Sequence, residues 1–289
     1  MKPELLPVIG PARFRSPILL ASGTCGYGLE ILEAGALEGA GGLVTKATTL
    51  EPREGNRPPR IAETEYGLLN SIGLANPGVE AVIEKVLPRL EGFPCPVIVN
   101  VAGDTAGEFA EVVSRLESSG VHCGYELNVS CPNVENGGMA FGVLPRLVEE
   151  ITRLARSRTA RLLSVKLTPN GGDILEAAAA AEAGGADAVT VCNTFLGMKI
   201  DWRTGTAALS RGTGGYSSPA LLPLVVARVW QVSRRVGIPV IASGGAWTAE
   251  AVLELMSAGA RAVQVGTRVL RDPFAPARIH AKLLELVSE

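Results

Sequence analysis

The segment Leu127-Asn-Val-Ser-Cys-Pro-Asn133 sets a thiol between two carboxamides, where an apolar β-type run gives way to a loop. Asn128 and Asn133 each offer a carbonyl acceptor and an NH2 donor, a set that suits a planar ligand edged with alternating C=O and N–H groups. Cys131 places a titratable thiol beside them, and Pro132 removes a donor and holds the following backbone in an extended or turn geometry. A lone cysteine beside a turn is ordinarily a small buried residue. The case for an active site comes from similar residues elsewhere in the chain.

Lys46, Asn100, Lys166 and Asn193 stand at the ends of other β-type runs, as do Gly244 with Gly245 and Gly266 with Thr267. Lysines, asparagines and glycine-rich turns at successive strand ends point to a catalytic or cofactor site rather than to arbitrary turns. Ser243-Gly-Gly245 and Gly266-Thr267 let backbone N–H groups approach a ligand closely, so a phosphate is expected there. Gly214-Gly-Tyr-Ser-Ser-Pro219 precedes a helical pattern with proline near its first turn and is expected to add N–H donors from that helix N-terminus. His122 and His280 are the only histidines, and no cysteine or histidine spacing suits a metal. Zinc and a histidine-based triad are therefore disfavoured, and base chemistry must come from elsewhere.

The elements that must position these groups are short. β-type runs at 18–23, 42–47, 97–101, 125–130, 162–168, 188–193, 239–244 and 262–267 alternate with helical patterns near 30–37, 78–90, 105–119, 145–157, 173–184, 219–235, 248–258 and 275–288. Eight strand-then-helix repeats predict an α/β fold of the (β/α)8 TIM barrel type, whose catalytic groups stand at the C-terminal rim and whose last two loops bind phosphate. An open doubly wound sheet is the runner-up, but no G-x-G-x-x-G follows the first strand. Only the connections 48–76 and 194–218, after strands 2 and 6, are long enough for extra hairpins, and both would stand over the site. No linker, repeat or low-complexity tract divides the chain, so residues 1–289 are expected to form one domain.

Composition agrees with that class. The 289 residues are 47% hydrophobic, 19% charged and 4% aromatic with 34 glycines, which suits a large core and tight loops. A net charge of −2 argues against nucleic acid, since phosphate neutralisation needs a basic face. The five cysteines, at 25, 95, 123, 131 and 192, are an odd number without CxxC pairing, as in a reducing compartment. No signal-type segment and no run of about 18 apolar residues is present, so no membrane is expected, and a cytoplasmic location is.

Taken together, the motifs resemble those of the dihydroorotate dehydrogenases, in particular the class 1B flavin subunit, over about Pro17 to Pro273. They are Lys46-Ala-Thr-Thr-Leu-Glu-Pro-Arg-Glu-Gly-Asn56 with Pro59-Arg60, Leu69-Asn-Ser-Ile-Gly-Leu-Ala-Asn-Pro-Gly78, Glu126-Leu-Asn-Val-Ser-Cys-Pro-Asn133 with Gly137-Gly138, Val165-Lys-Leu-Thr-Pro169, Asn193-Thr194, Gly197-Met198 and Gly266-Thr267. The resemblance implies a (β/α)8 barrel that holds FMN and oxidises dihydroorotate to orotate in pyrimidine (UMP) biosynthesis. It implies that Lys46, Asn70, Ile72, Gly73, Leu74, Asn128, Asn133, Asn193 and Thr194 grip the pyrimidine and its carboxylate. Ala21, Ser22, Gly23, Lys46, Ala47, Asn100, Asn128, Lys166, Val191, Gly215, Ser217, Gly244, Gly245, Gly266 and Thr267 would hold the flavin. Cys131 would be the base that takes the C5 proton, with Lys46 beside substrate and flavin and Lys166 beside flavin N1 and O2.

The resemblance also sets the acceptor. The membrane-bound class has an N-terminal extension and a serine base, neither of which is expected here, and class 1A passes electrons to fumarate. The Lys46–Arg60 segment looks more like class 1B, which implies a separate partner subunit with FAD and a [2Fe–2S] cluster, and NAD as acceptor. A homodimeric core is the expectation for the barrel itself. The sequence departs from the family at Ser218, where glycine is usual, at Ala242-Ser243, and over 199–213, which could face a partner. The competing readings are an FMN-dependent dihydropyrimidine dehydrogenase, a flavin-free phosphosugar isomerase or lyase using Lys166, and a non-enzymatic phosphate-binding barrel.

Overall fold

The computed structural model describes residues 5–130, 132–133 and 139–288, with the backbone alone at 132, 133, 139 and 140. Eight parallel strands close into a barrel: β1 (Ile18–Leu20), β2 (Gly42–Val44), β3 (Val97–Val101), β4 (Gly124–Asn128), β5 (Leu162–Lys166), β6 (Ala188–Val191), β7 (Val240–Ser243) and β8 (Ala260–Val265), with β8 pairing back onto β1. The open doubly wound alternative is thereby excluded. Around the barrel lie α1 (Leu29–Glu33), α2 (Val79–Ala81, continued by a π turn and a 3-10 turn to Leu90), α3 (Ala106–Leu116), α4 (Pro145–Arg156), α5 (Ile174–Ala183), α6 (Leu222–Val232), α7 (Ala249–Ser257), α8 (Thr267–Arg271) and α9 (Ala275–Ser288). No helix among the described residues is long and apolar enough to cross a membrane.

Local chemistry starts several helices where the pattern places them. Thr105, Asp173 and Thr248 cap α3, α5 and α7, their side-chain oxygens accepting from Glu108 N, Leu175 N and Ala251 N. Most strands end a residue or more before the sequence pattern does, because the rim residues have left the ladder to line the opening. Lys46, Asn193 and Gly244 all lie just past their strands.

Alternation along the strands divides the barrel interior into two layers. The lower one is apolar: Leu19, Val44, Ile98, Leu162, Ala188, Ile241 and Ala262 pack with Ile9, Ala12 and Phe14. Those last three come from the segment around a short N-terminal hairpin, Val8–Ile9 against Ala12–Arg13, which plugs the base. Two residues further along their strands stand Asn100, Glu126, Ser164, Thr190 and Gln264, all buried and all polar. Side chains of the opposite parity, such as Val99, Leu127, Val165 and Val191, pack outward into the core shared with the helices.

The two long loops are joined in space. Ile61–Glu63 pairs with Leu68–Asn70 after β2, and Phe195–Met198 pairs with Thr213–Ser217 after β6. The pairing of Asn70 with Gly215 and of Leu68 with Ser217 merges them into one four-stranded antiparallel sheet over the barrel mouth. Ser218 ties this sheet down: its hydroxyl donates to the Tyr66 carbonyl at 2.7 Å and accepts from Ala220 N at 3.1 Å. The expected N–H donors of this helix N-terminus are therefore already engaged, Leu221 N also donating to the Ser218 carbonyl.

Outside the barrel, His122 is buried against Tyr125 with no hydrogen-bond partner on either ring nitrogen among the described residues. Burial, and then the charge of Arg161, push its pKa down to about 4. The unfolded chain binds this proton below about pH 6.5, whereas the folded protein does so only near pH 4. Stability should therefore fall as pH drops through that window, by about 3 kcal/mol at most. His122→Phe should abolish this component without cost at pH 8, since no hydrogen bond is lost. Urea midpoints of both proteins at pH 8 and pH 5 test it, and equal acid sensitivity would contradict it.

Candidate active site

A cavity of about 780 Å3 opens at the C-terminal mouth of the barrel, beneath the four-stranded sheet. Its wall includes Ala21, Ser22, Gly23, Lys46, Ala47, Asn70, Ile72, Gly73, Leu74, Asn128 and Lys166. Asn193, Thr194, Gly215, Ser217, Gly244, Gly245, Gly266 and Thr267 complete the expected set that it brings together. Asn100 and Val191 do not line it. Asn100 lies in the buried polar layer below, and Val191 faces the helices. Cys131 lies outside the described residues, as does the side chain of Asn133, although its chain neighbour Ser130 is on the wall.

The carboxamides cluster on one side. Asn193 Nδ2 donates to Ser130 Oγ at 2.9 Å and to Asn128 Oδ1 at 3.3 Å, and Asn193 Oδ1 accepts from Thr194 N at 2.8 Å. Asn70 Nδ2 donates to the Gly215 carbonyl at 3.2 Å, so the two loop hairpins hold it over the same space. Leu74, beside it on the wall, is the one non-glycine residue at positive φ among the described residues, at 57°. A branched side chain held there marks backbone fixed by its surroundings, as ligand-gripping loops often are.

The floor is cationic. Lys166 is 6% exposed, and its Nζ lies 3.4 Å from Gln264 Oε1 and 3.8 Å from Glu126 Oε1. Both contacts are longer than a charge-assisted hydrogen bond of about 2.8 Å, so the ammonium keeps donor capacity for a ligand. Lys46 makes no side-chain hydrogen bond or ion pair among the described residues. Its pKa is lowered by burial and by the charge of Arg60, against the pull of Glu30.

The opposite rim is built from backbone. The N–H groups of Gly244, Gly245 and Thr267 have no intramolecular acceptor among the described residues, and Thr267 begins α8. Gly245, at φ 73°, allows the turn to sit against α6, where a Cβ would come within 2.5 Å of Leu222 Cα. At Gly23 a Cβ would meet nothing within 4 Å and would project into open space on the cavity wall. Unpaired N–H groups at one end, an underpaired buried ammonium in the middle and an unpartnered Asn100 Oδ1 beneath fit a large planar group with an anionic tail. Cys192 also lines the cavity, but burial pushes its thiol up to about 12, which removes it as a base near neutrality.

The sequence pattern did not single out Glu126, Gln264, Ser130 or Asn170. Asn170 anchors the second hairpin, donating to the Thr194 carbonyl and accepting from Leu196 N, both at 2.8 Å. A signal for the polar layer existed: Glu126 lies two residues before Asn128 in an otherwise apolar strand, and Ser164, Thr190 and Gln264 repeat that parity.

Fold and cavity define a (β/α)8-barrel enzyme with a polar small-molecule site at its C-terminal mouth. The family model described as Dihydroorotate dehydrogenase matches residues 7–287, and the chain belongs to that family, which is flavin-dependent in general. The chain is 47% identical over 95% of its length to "Dihydroorotate dehydrogenase B (NAD(+)), catalytic subunit" of Geobacillus kaustophilus, covering 88% of that protein. A protein of the same name from Geobacter sp. strain M21 is 41% identical over all of this chain and 94% of its own. Among solved structures, a DHODH from Eimeria tenella in complex with ferulenol superposes with a TM-score of 0.80 at 24% identity, over 98% of this chain and 84% of that one, a likeness of fold.

Proposed function

We propose that this chain is the catalytic subunit of an NAD-linked dihydroorotate dehydrogenase, oxidising (S)-dihydroorotate to orotate with FMN in pyrimidine biosynthesis. The observation that carries this reading is a cavity with an underpaired buried Lys166 on its floor, free N–H groups on one rim and a carboxamide cluster on the other. Oxidation removes a proton from C5 and a hydride from C6, and FMN, when bound, accepts that hydride. The residues that would hold FMN are Gly23, Lys166, Gly244, Gly245, Gly266 and Thr267, with Asn100 below. Lys166 would hold positive charge where reduction adds negative charge. Asn70, Asn128, Asn133 and Asn193 would orient the substrate ring, and Lys46 would offset its carboxylate. Cys131 would take the C5 proton. The sheet that roofs the cavity would limit access of water to the reacting atoms.

Electrons would leave through a separate subunit carrying FAD and a [2Fe–2S] cluster, docked on a homodimeric core, with NAD as acceptor. The name of the bacterial relatives as catalytic subunits supports a partner chain. The test begins with colour: purified protein should be yellow and release FMN on denaturation. Dihydroorotate should bleach the flavin band, and dihydrouracil, which lacks the carboxylate, should not. A colourless protein that cannot be reconstituted with FMN would end this reading, and equal bleaching by both substrates would redirect it to dihydropyrimidines.

A further inference from the structure

Among the described residues, the buried layer beneath the cavity contains one carboxylate, Glu126, 1% exposed, and two of its neighbours, Lys166 and Gln264, line the cavity. Its Oε1 accepts from Asn100 Nδ2 at 2.8 Å and lies 3.8 Å from Lys166 Nζ. Its Oε2 accepts from Thr190 Oγ1 at 2.9 Å and from Gln264 Nε2 at 2.5 Å. The strand ladder dictates this placement. Glu126 pairs with Ser164 and Asn100 on either side, and Lys166 pairs with Asn128 one layer above.

We propose that Glu126 is a positioning residue: it is the counter-charge that holds the Lys166 ammonium in place and aimed at the flavin. This rests on the FMN reading given above. Two routes carry the effect. The direct one is the ion contact, which compensates a cation that is otherwise shut away from water. The indirect one runs through Gln264. Because its Nε2 is committed to Glu126, its Oε1 is turned to face Lys166 at 3.4 Å. The same logic orients Asn100, whose Nδ2 is committed to Glu126 so that Oδ1 is left as the free acceptor. One carboxylate thus sets the orientation of three polar groups under the cavity.

Glu126→Gln keeps the shape and an acceptor for Asn100 and removes the charge. Its new Nε2 would face Gln264 Nε2, so the Gln264 amide must turn over and withdraw its oxygen from Lys166. Lys166 would then lose both its counter-charge and the acceptor that aims it. The thiol of Cys192, the other titratable group whose charge couples to Lys166, stays protonated across the neutral range. Lys46 is unchanged between the proteins and cancels in a ratio.

Sulfite, a small anion that bleaches the flavin band on binding, is the probe. Its dissociation constant is measured at pH 7 in FMN-loaded wild type, Glu126→Gln, Glu126→Asp and the pair Lys166→Met and Glu126→Gln/Lys166→Met. Glu126→Gln should weaken binding about tenfold, because Lys166 is no longer aimed at the anion, whereas simple removal of a negative charge would tighten it. Glu126→Asp, which keeps the charge, should recover most of the affinity. In the Lys166→Met background, Glu126→Gln should no longer weaken binding. Unchanged or tighter binding in Glu126→Gln, or an equal loss with and without Lys166, overturns the proposal. If Glu126→Gln does not fold, the double variant should, because it leaves no unpaired charge, and a double variant that unfolds equally overturns the pairing. A wild type that cannot be loaded with FMN takes this inference down with the functional reading, whereas a loaded wild type whose affinity Glu126→Gln leaves unchanged removes this inference alone.

Discussion

Replacing Cys131 with alanine is expected to slow reduction of the bound flavin by dihydroorotate about 10³-fold, within the usual range for loss of a general base. Ser130, its chain neighbour, lies on the cavity wall and accepts a hydrogen bond from Asn193 of the carboxamide cluster. The other candidates for the base are weak. His122 lies away from the cavity, in the core outside the barrel, and Cys192 stays protonated to about 12. Lys46 is the cavity group whose pKa burial lowers, so it is the control: Lys46→Met should weaken substrate binding while leaving the pH-dependence of reduction in place. With a thiol as base, the rate should rise with pH toward a plateau near the usual thiol pKa of about 8.5. Cys131→Ser, with a hydroxyl that does not ionise in this range, should be about 10²-fold slower and lose that limb. Stopped-flow bleaching under anaerobic conditions measures all four proteins. Wild-type kinetics in Cys131→Ala would remove the thiol from the mechanism.

The second large effect is expected at Lys166. Lys166→Met keeps the apolar stem and removes the ammonium, and reduction by dihydroorotate should fall about 10²- to 10³-fold, as when one preorganised stabilising group is deleted. Stability should suffer much less. Glu126 would lose its cation but keep hydrogen bonds from Asn100, Thr190 and Gln264, so its charge remains solvated by neutral donors. A melting temperature close to wild type, with a strongly slowed flavin reduction, is the expected pair of results. A variant that reduces at the wild-type rate would show that Lys166 serves the fold only.

Much of this architecture was open to reading along the chain. Eight strand-then-helix repeats carry a local signature, since a strand declares itself by parity and a helix by its 3.6-residue period and its caps. Candidate site residues at strand ends are legible for the same reason: Lys46, Asn128, Lys166, Asn193 and the glycine pairs mark where each alternation stops, and all line one cavity. The role proposed for Cys131 rests on its motif alone.

Three things were decided only in three dimensions. The long loops after β2 and β6 each contain a local hairpin, but their union depends on Asn70 meeting Gly215, 145 residues away, and no local pattern encodes that register. The helix N-terminus after Ser218 looked free for a ligand until the serine hydroxyl was seen bonded to Ala220 N and to Tyr66 of the other loop. The polar layer under the cavity joins Glu126 to residues 26, 64 and 138 positions away. Sequence alone determined which residues could point inward, because parity is a property of each strand. Which inward residues meet, how deeply they are buried and which charges remain unpaired depended on closure of the barrel, since desolvation and hydrogen-bond competition exist only once distant strands share one dry interior.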